Sequence, residues 1–245
     1  MSSKITPTLY LHFLVMLFSF NASRLQSQNS TSTSLYDWYD SKVGKENLDI
    51  NKGRILLNYD KSIEGNNRFY FDKYYSGTVK FDNQIYNNIL LNYDAFKDEL
   101  IINPNNESGS DVIILTKEKV DYFSLNDKKY VNINYNDFKT PDYIKGFYEE
   151  KIIGTNFILY IKNIKNRKDL IVGDKLFDDF NSSTIYYLKY HEQFYEINSK
   201  KSIVAILPEY KKMINEFYSN NQLVEKSSKV KFFEDLLSYL NTIIK

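Results

Sequence analysis

Residues 78–93, TVKFDNQIYNNILLNY, carry the reading that decides the fold. Val79 and Phe81 alternate with polar residues. Asp82 and Asn83 then tolerate the left-handed backbone of a two-residue turn, and Ile89, Leu91 and Tyr93 alternate again. Two period-2 segments around a two-residue Asp/Asn turn are the signature of a β-hairpin. Working outward, the same grammar repeats. Residues 98–102 and 111–115 are short apolar runs on either side of Pro104-Asn105-Asn106-Glu107-Ser108-Gly109, a loop signal. Val120–Leu125, a turn at Asn126-Asp127-Lys128 and Tyr130–Ile133 give a second hairpin. Residues 147–153, a turn at Gly154-Thr155-Asn156 and residues 157–164 give a third, with Phe157, Leu159 and Ile161 on one face. Residues 185–189 and 193–197, turning at Tyr190-His191-Glu192, give a fourth.

After Asn198 the period changes. Ser199 can cap a short helical turn through Leu207, and Pro208 suits a first helical position. Tyr210, Met213, Ile214 and Phe217 recur at helical spacing, and Asn220-Asn221 suit a helix end. Ser227 or Ser228 can cap a last helix. Its stripe of Val230, Phe233, Leu237, Leu240 and Ile244 is widened by Phe232, Leu236 and Ile243. A helix so apolar has to be buried. The fold class read from the sequence is α+β: an antiparallel β-sheet assembly of successive hairpins, closed by a C-terminal helix pair.

Ahead of this domain, Lys4, the uncharged apolar run Leu9–Phe20 and the small or polar residues Asn21, Ala22, Ser23, Ser27 and Gln28 follow the layout of a secretory leader. The run is shorter than the roughly 20 residues of a spanning helix. The expected organisation is a signal peptide over 1–27, cleaved near Ser27, a flexible tether over 28–34 and one domain over 35–245, β-rich to 198 and helical from 199. This places the chain in the periplasm or outside the cell, not integral to a membrane once the leader is removed. An outer-membrane barrel is disfavoured because the strands are short and uneven and the C-terminus is helical.

The composition narrows function by exclusion. The chain has no cysteine, so neither a disulfide nor an N-terminal lipid anchor is available. Loss of the leader takes the 32 basic residues to 30 against 31 acids, which does not favour nucleic acid as a partner. His12 leaves with the leader, so His191, next to Glu192, is the one histidine of the mature chain; it reads as a turn residue. Without Cys or further His, no His- or Cys-rich metal site can form, and no metal or cofactor is expected. No Gly-x-Ser-x-Gly elbow and no phosphate-binding glycine loop occurs. Asp49-Ile50-Asn51-Lys52-Gly53 lacks the later acids of a calcium loop. The acids Asp94, Asp98 and Glu99, Glu149 and Glu150, and Asp174, Asp178 and Asp179 could work in pairs as in glycosidases, but their polar contexts read as solvated charges. ILLNYD occurs at both 55–60 and 89–94 without matching flanks or a third copy, which does not make a repeat protein.

Aromatic residues are the surplus: 22 Tyr and 17 Phe. They crowd at Tyr36, Trp38 and Tyr39, at Phe69–Tyr75, and around Tyr186, Tyr187, Tyr190, Phe194 and Tyr195. Strand alternation sends about half of such rings outward, where they can stack on a sugar or dock a partner. The candidate binding residues are Trp38, Tyr186, Tyr187, Tyr190 and Tyr195. The function read from this inventory is a non-enzymatic exported accessory or binding module, whose partner is an envelope protein or glycan. The alternatives are a carboxylate-based hydrolase acting on envelope glycans, which needs two convergent acids in a cleft, and a structural subunit of an envelope complex.

The order of motifs adds a resemblance. SGTVKFDNQIYNNILLNYDAFKDELII (76–102), Ile113–Leu125, Gly146-Phe147-Tyr148-Glu149 leading into 157–161, Tyr186-Tyr187-Leu188 and Ser199-Lys200-Lys201-Ser202 follow one another. Together they resemble a group of exported β-rich proteins of Bacteroidota to which no activity is assigned. The resemblance covers roughly residues 50–245 and rests on the order, since no single motif is specific. It implies an envelope location and no catalytic residue or cofactor.

Overall fold

The computed structural model describes residues 48–57, 62, 66–104, 111–133, 140–141 and 143–244. Residues 1–34, read above as a leader and a tether, and Trp38 lie outside these residues. The α+β reading holds. One antiparallel sheet of eleven strands is followed by four helices where the sequence suggested two. The strands are β1 (Arg54–Ile55), β2 (Tyr75–Phe81), β3 (Gln84–Asp94), β4 (Glu99–Asn103), β5 (Ile113–Ile114), β6 (Val120–Leu125), β7 (Lys128–Ile133), β8 (Gly146–Ile153), β9 (Phe157–Val172), β10 (Lys175–Tyr190) and β11 (Gln193–Glu196). Their order in the sheet is β1-β5-β4-β3-β2-β6-β7-β8-β9-β10-β11.

The tight turns are where the sequence put them, and side-chain chemistry explains them. Asp82 and Asn83 take φ of 50° and 65°, and Asn126 and Asp127 take 51° and 58°. Short Asn and Asp side chains accept this region because they bond their own backbone. His191 and Glu192 adopt the same geometry between β10 and β11. Asn88, at φ 57°, adds one residue to β3: the register with β2 shifts between Gly77 and Val79. This bulge moves the alternation by one residue, so Tyr86 and then Leu91 and Tyr93 are buried, while Ile89 is only partly so.

The sheet curls until strands far apart in its order meet. Tyr93 of β3 lies 6.2 Å, ring to ring, from both Tyr130 of β7 and Phe147 of β8, and Phe123 of β6 stacks on Tyr130 at 4.7 Å. The Ala95 carbonyl, in the turn after β3, accepts from the Lys165 N–H of β9 at 3.0 Å. Three ion pairs hold this curl. Arg68 meets Asp94, both almost wholly buried, and Asp98 meets Lys117 and, at 2.6 Å, Lys162.

The helices are α1 (Lys200–Ile206), α2 (Lys211–Asn220), α3 (Gln222–Ser227) and α4 (Lys229–Ile243), with a 3-10 turn at Pro208–Tyr210. Ser199 and Ser202 form a reciprocal capping box that starts α1, and the Ser228 hydroxyl accepts from the Lys231 N–H to start α4. Phe232, Phe233, Leu236, Leu237 and Leu240 of α4 are fully buried against Ile153, Phe157, Leu159, Ile161, Tyr186 and Leu188 of the sheet. Asn241 fastens the far end, accepting from the Asn156 backbone at 3.2 Å and from its side chain at 3.1 Å.

Candidate functional site

Alternation along β9 and β10 sorts the aromatic candidates onto two faces. Tyr186 faces the helices, edge-on to Phe233 at 5.1 Å, and is buried. Tyr187 points the other way into a satellite core with Ile144, Tyr148 and Tyr160, and is buried too. Tyr190 packs against Phe157 and His191, and Tyr195 donates its hydroxyl to Gln193. The four tyrosines therefore do not converge on a common surface. Tyr186 and Tyr187 are both buried in the fold, where removal of either ring costs packing. Both faces of this strand pair are covered, by helices on one side and by Ile144 with its neighbours on the other, which alternation alone does not reveal.

The acids also sit differently from the sequence reading. All but Asp174, which is exposed in a turn, have a cationic or amide partner in the fold. Asp94 is fully buried on Arg68 and accepts from the backbone N–H groups of Phe96 and Lys97 at 3.0 and 2.9 Å. Glu149, also buried, takes Lys128 at 2.9 Å and Lys151 at 3.5 Å. Glu150 takes Lys129, and Asp178 takes Arg167 at 2.7 Å. Asp98 is the densest of these hubs. It accepts from the Tyr93 hydroxyl at 2.6 Å, the Phe147 N–H at 3.3 Å, Lys162 and Lys117. Gly146, at φ +97°, leaves room for it, since a Cβ there would collide with the Asp98 carboxylate. Burial holds the Lys162 ammonium down to about 8 although Asp98 pulls it up.

Two clefts were candidates for a ligand. One, about 390 Å³, lies between the β8–β9 turn and α4, where Lys151 bridges Glu149 and Glu234. The other, about 290 Å³, is flanked by the pairs Arg54–Glu99 and Lys117–Asp98. In the first, Glu149 and Glu234 converge on Lys151; the second is lined by Glu99 and Glu118 together with Arg54, Lys97 and Lys117.

Exposed apolar side chains gather elsewhere. β9 and β10 each run 16 residues, well past the end of β8, which stops pairing at Ile161 of β9. The sequence reading ended this hairpin's first strand at Ile164 and took the second up only at 185. At its base the extension is covered by Phe96, edge-on to Phe180 at 5.5 Å, and by Asn66 on Asp179. Beyond that, residues 166–172 are all exposed. Ile171 is 72% exposed, Leu176 55%, Val172 52% and Leu170 36%. Ile171 pairs with Leu176 on one face of the ribbon, and Leu170 with Phe177 on the other. The missed signal was Gly173-Asp174 between LIV and Lys175-Leu176-Phe177, a two-residue turn with apolar flanks; the charged run Lys165–Asp169 hid it. Among the described residues, this tip is the place where several large apolar side chains stand free together.

Compared with protein-family models, with curated proteins and with solved structures, the chain matches none.

Proposed function

We propose that the protein is an exported binding module that recognises an envelope partner without catalysing a reaction on it, and that the tip of the β9–β10 ribbon makes the contact. The observation that carries this reading is the exposure of Ile171, Val172 and Leu176 at the end of a hairpin whose strands run 16 residues each. Folding leaves this apolar area in water at a cost of about 25 cal/mol per Å², a cost removed when a partner covers it. Isolated surface leucines need no explanation, but a cluster on a projecting element marks an interaction site. The leader reading of residues 1–27 supports export, and the cation held between Glu149 and Glu234, Lys151, favours a structural role for that acid pair.

The test is photo-crosslinking in the native envelope with a reactive residue at position 171. One specific partner band is expected, lost when Leu176→Ser is added, with the melting temperature unchanged because surface substitutions stay within about 0.5 kcal/mol. Purified protein that hydrolyses an envelope glycan, and loses that turnover with Asp98→Asn or Glu149→Gln in a folded variant, would overturn the reading.

A further inference from the structure

The ribbon offers a backbone edge as well as a tip. The Lys165 N–H points away from β10 to the Ala95 carbonyl. In an antiparallel strand alternate residues point the same way, so the N–H and C=O groups of Arg167, Asp169 and Ile171 also point out of the ribbon. β8 has ended before them. Among the described residues none pairs with 167–171 on this side, which leaves a bare edge about 17 Å long at 3.4 Å per residue. Bare edges are templates for another strand.

The side chains select the occupant. We propose that this edge pairs antiparallel with the same edge of a second copy, about a two-fold axis at Leu170, joining two ribbons into a four-stranded sheet. An axis at Arg167, Lys168 or Asp169 sets like charges directly opposite each other, which is destabilising. An axis at Ile171 removes like-charge clashes but shortens the ladder against the turn at Gly173. With the axis at Leu170, Asp169 lies opposite Ile171, and Lys168 lies opposite Val172, along which its aliphatic stem can extend. Leu170 then meets Leu170 of the second copy, and each has Phe177 beside it on the same face. The result is an unbroken apolar row across four strands. The Ile171–Leu176 face stays free for the envelope partner, so self-pairing goes beyond the proposed function and can fail separately from it. The contact is small beside the roughly 1,200–2,000 Å² of a stable interface, so pairing rises with concentration.

The chain contains no cysteine, which permits a clean test on the full protein. Leu170 and its copy form a pair between hydrogen-bonded rungs, with Cα atoms about 4.5 Å apart, inside the disulfide range of about 4.4–6.8 Å. Single variants Lys168→Cys, Asp169→Cys, Leu170→Cys and Ile171→Cys are oxidised side by side. Leu170→Cys should form a covalent dimer at least tenfold faster than the other three, and sedimentation of the unsubstituted protein should show a concentration-dependent dimer. Ile171→Pro deletes an outward N–H and no bond within the ribbon, and should weaken that dimer tenfold or more. A protein that stays monomeric at millimolar concentration, or cross-links faster at 168, 169 or 171 than at 170, overturns the proposal.

Discussion

Lys162 invites a substitution whose sign runs against the usual rule for buried ion pairs. Its ammonium donates to Asp98 at 2.6 Å and to the Phe147 carbonyl at 3.0 Å, and the residue is 9% exposed. Even with those partners its value stands at about 8 against an ordinary 10.5, desolvation being the largest cause. The folded state therefore holds this proton less well than the unfolded chain does, and the difference is worth about 3 kcal/mol at neutral pH. Between pH 8 and 10.5 the unfolded chain carries the proton and the folded protein does not. Stability then rises with pH by about 1.4 kcal/mol per pH unit from this group alone; below pH 8 both states are protonated and the full cost is present. Lys162→Met removes the charge and keeps the unbranched stem, while Asp98 keeps Lys117, the Tyr93 hydroxyl and the Phe147 N–H. The variant should fall within about 1 kcal/mol of the parent at pH 7, whereas Asp98→Asn, which strands two cations, should lose about 3–5 kcal/mol. Urea unfolding followed by circular dichroism at pH 7.0, 8.5 and 9.5 is the assay. The parent's stability relative to Lys162→Met should climb by about 2 kcal/mol from pH 8 to 9.5. A constant difference across that range, or a loss above 3 kcal/mol in Lys162→Met at pH 7, would refute the reasoning.

Burial raises the hydroxyls of Tyr93, Tyr130, Tyr148 and Tyr160 above their ordinary value near 10. Each contributes stability that is whole below pH 10 and lost above it, where only the unfolded chain ionises, at about 1.4 kcal/mol per pH unit per tyrosine. The protein should unfold cooperatively above pH 10, with these tyrosinates appearing at 295 nm together with the loss of structure; their appearance in a still-folded protein would contradict the burial argument. Leu237→Ala on α4 should cost about 2–5 kcal/mol, and removal of residues 227–245 should leave an aggregating or protease-sensitive chain. A truncated protein melting at the parent temperature would mean that the helix is not part of the core.

The legible part of the fold was the part written locally. Asp82-Asn83, Asn126-Asp127 and Ser199-to-Ser202 fix turns and a cap through contacts a few residues apart, so their chemistry is visible in the chain. The α4 stripe was legible for the same reason, since helical spacing puts Phe233, Leu237 and Leu240 on one face regardless of what covers it. The bulge at Asn88 was not, because an asparagine in a strand is compatible with either register and the packing of Leu91 decides between them. The acids misled for a related reason. Asp94 and Glu149 read as surface charges until Arg68 and Lys128, distant in sequence, arrive beside them. At the ribbon, polarity was mistaken for irregularity. Lys165 to Asp169 carry no hydrophobic alternation because both faces of that stretch meet water, and a strand without a buried face leaves no period to read. Tyr186 and Tyr187 show the converse, a strand buried on both faces, where outward and inward lose their meaning.

The strand order has a kinetic consequence. Most neighbouring strands in this sheet are also consecutive in the chain, so most pairings close short loops and form on the microsecond scale of isolated hairpins. Two pairings are different. β1 joins β5 only after β2, β3 and β4 have been laid down, and β2 joins β6 across the same span, with Gly77 opposite Leu125. β1 contributes two residues, whereas the β2–β6 seam has five paired positions and unites the two halves of the sheet. Until it closes, β2 and β6 present mutually unsatisfied backbone, and the aromatic cluster of Tyr93, Phe123, Tyr130 and Phe147 cannot assemble because its members lie on opposite sides of that seam. If this seam paces refolding, stopped-flow refolding should slow with substitutions along β2 and β6, while those in the helices should chiefly hasten unfolding; equal slowing by both would refute it.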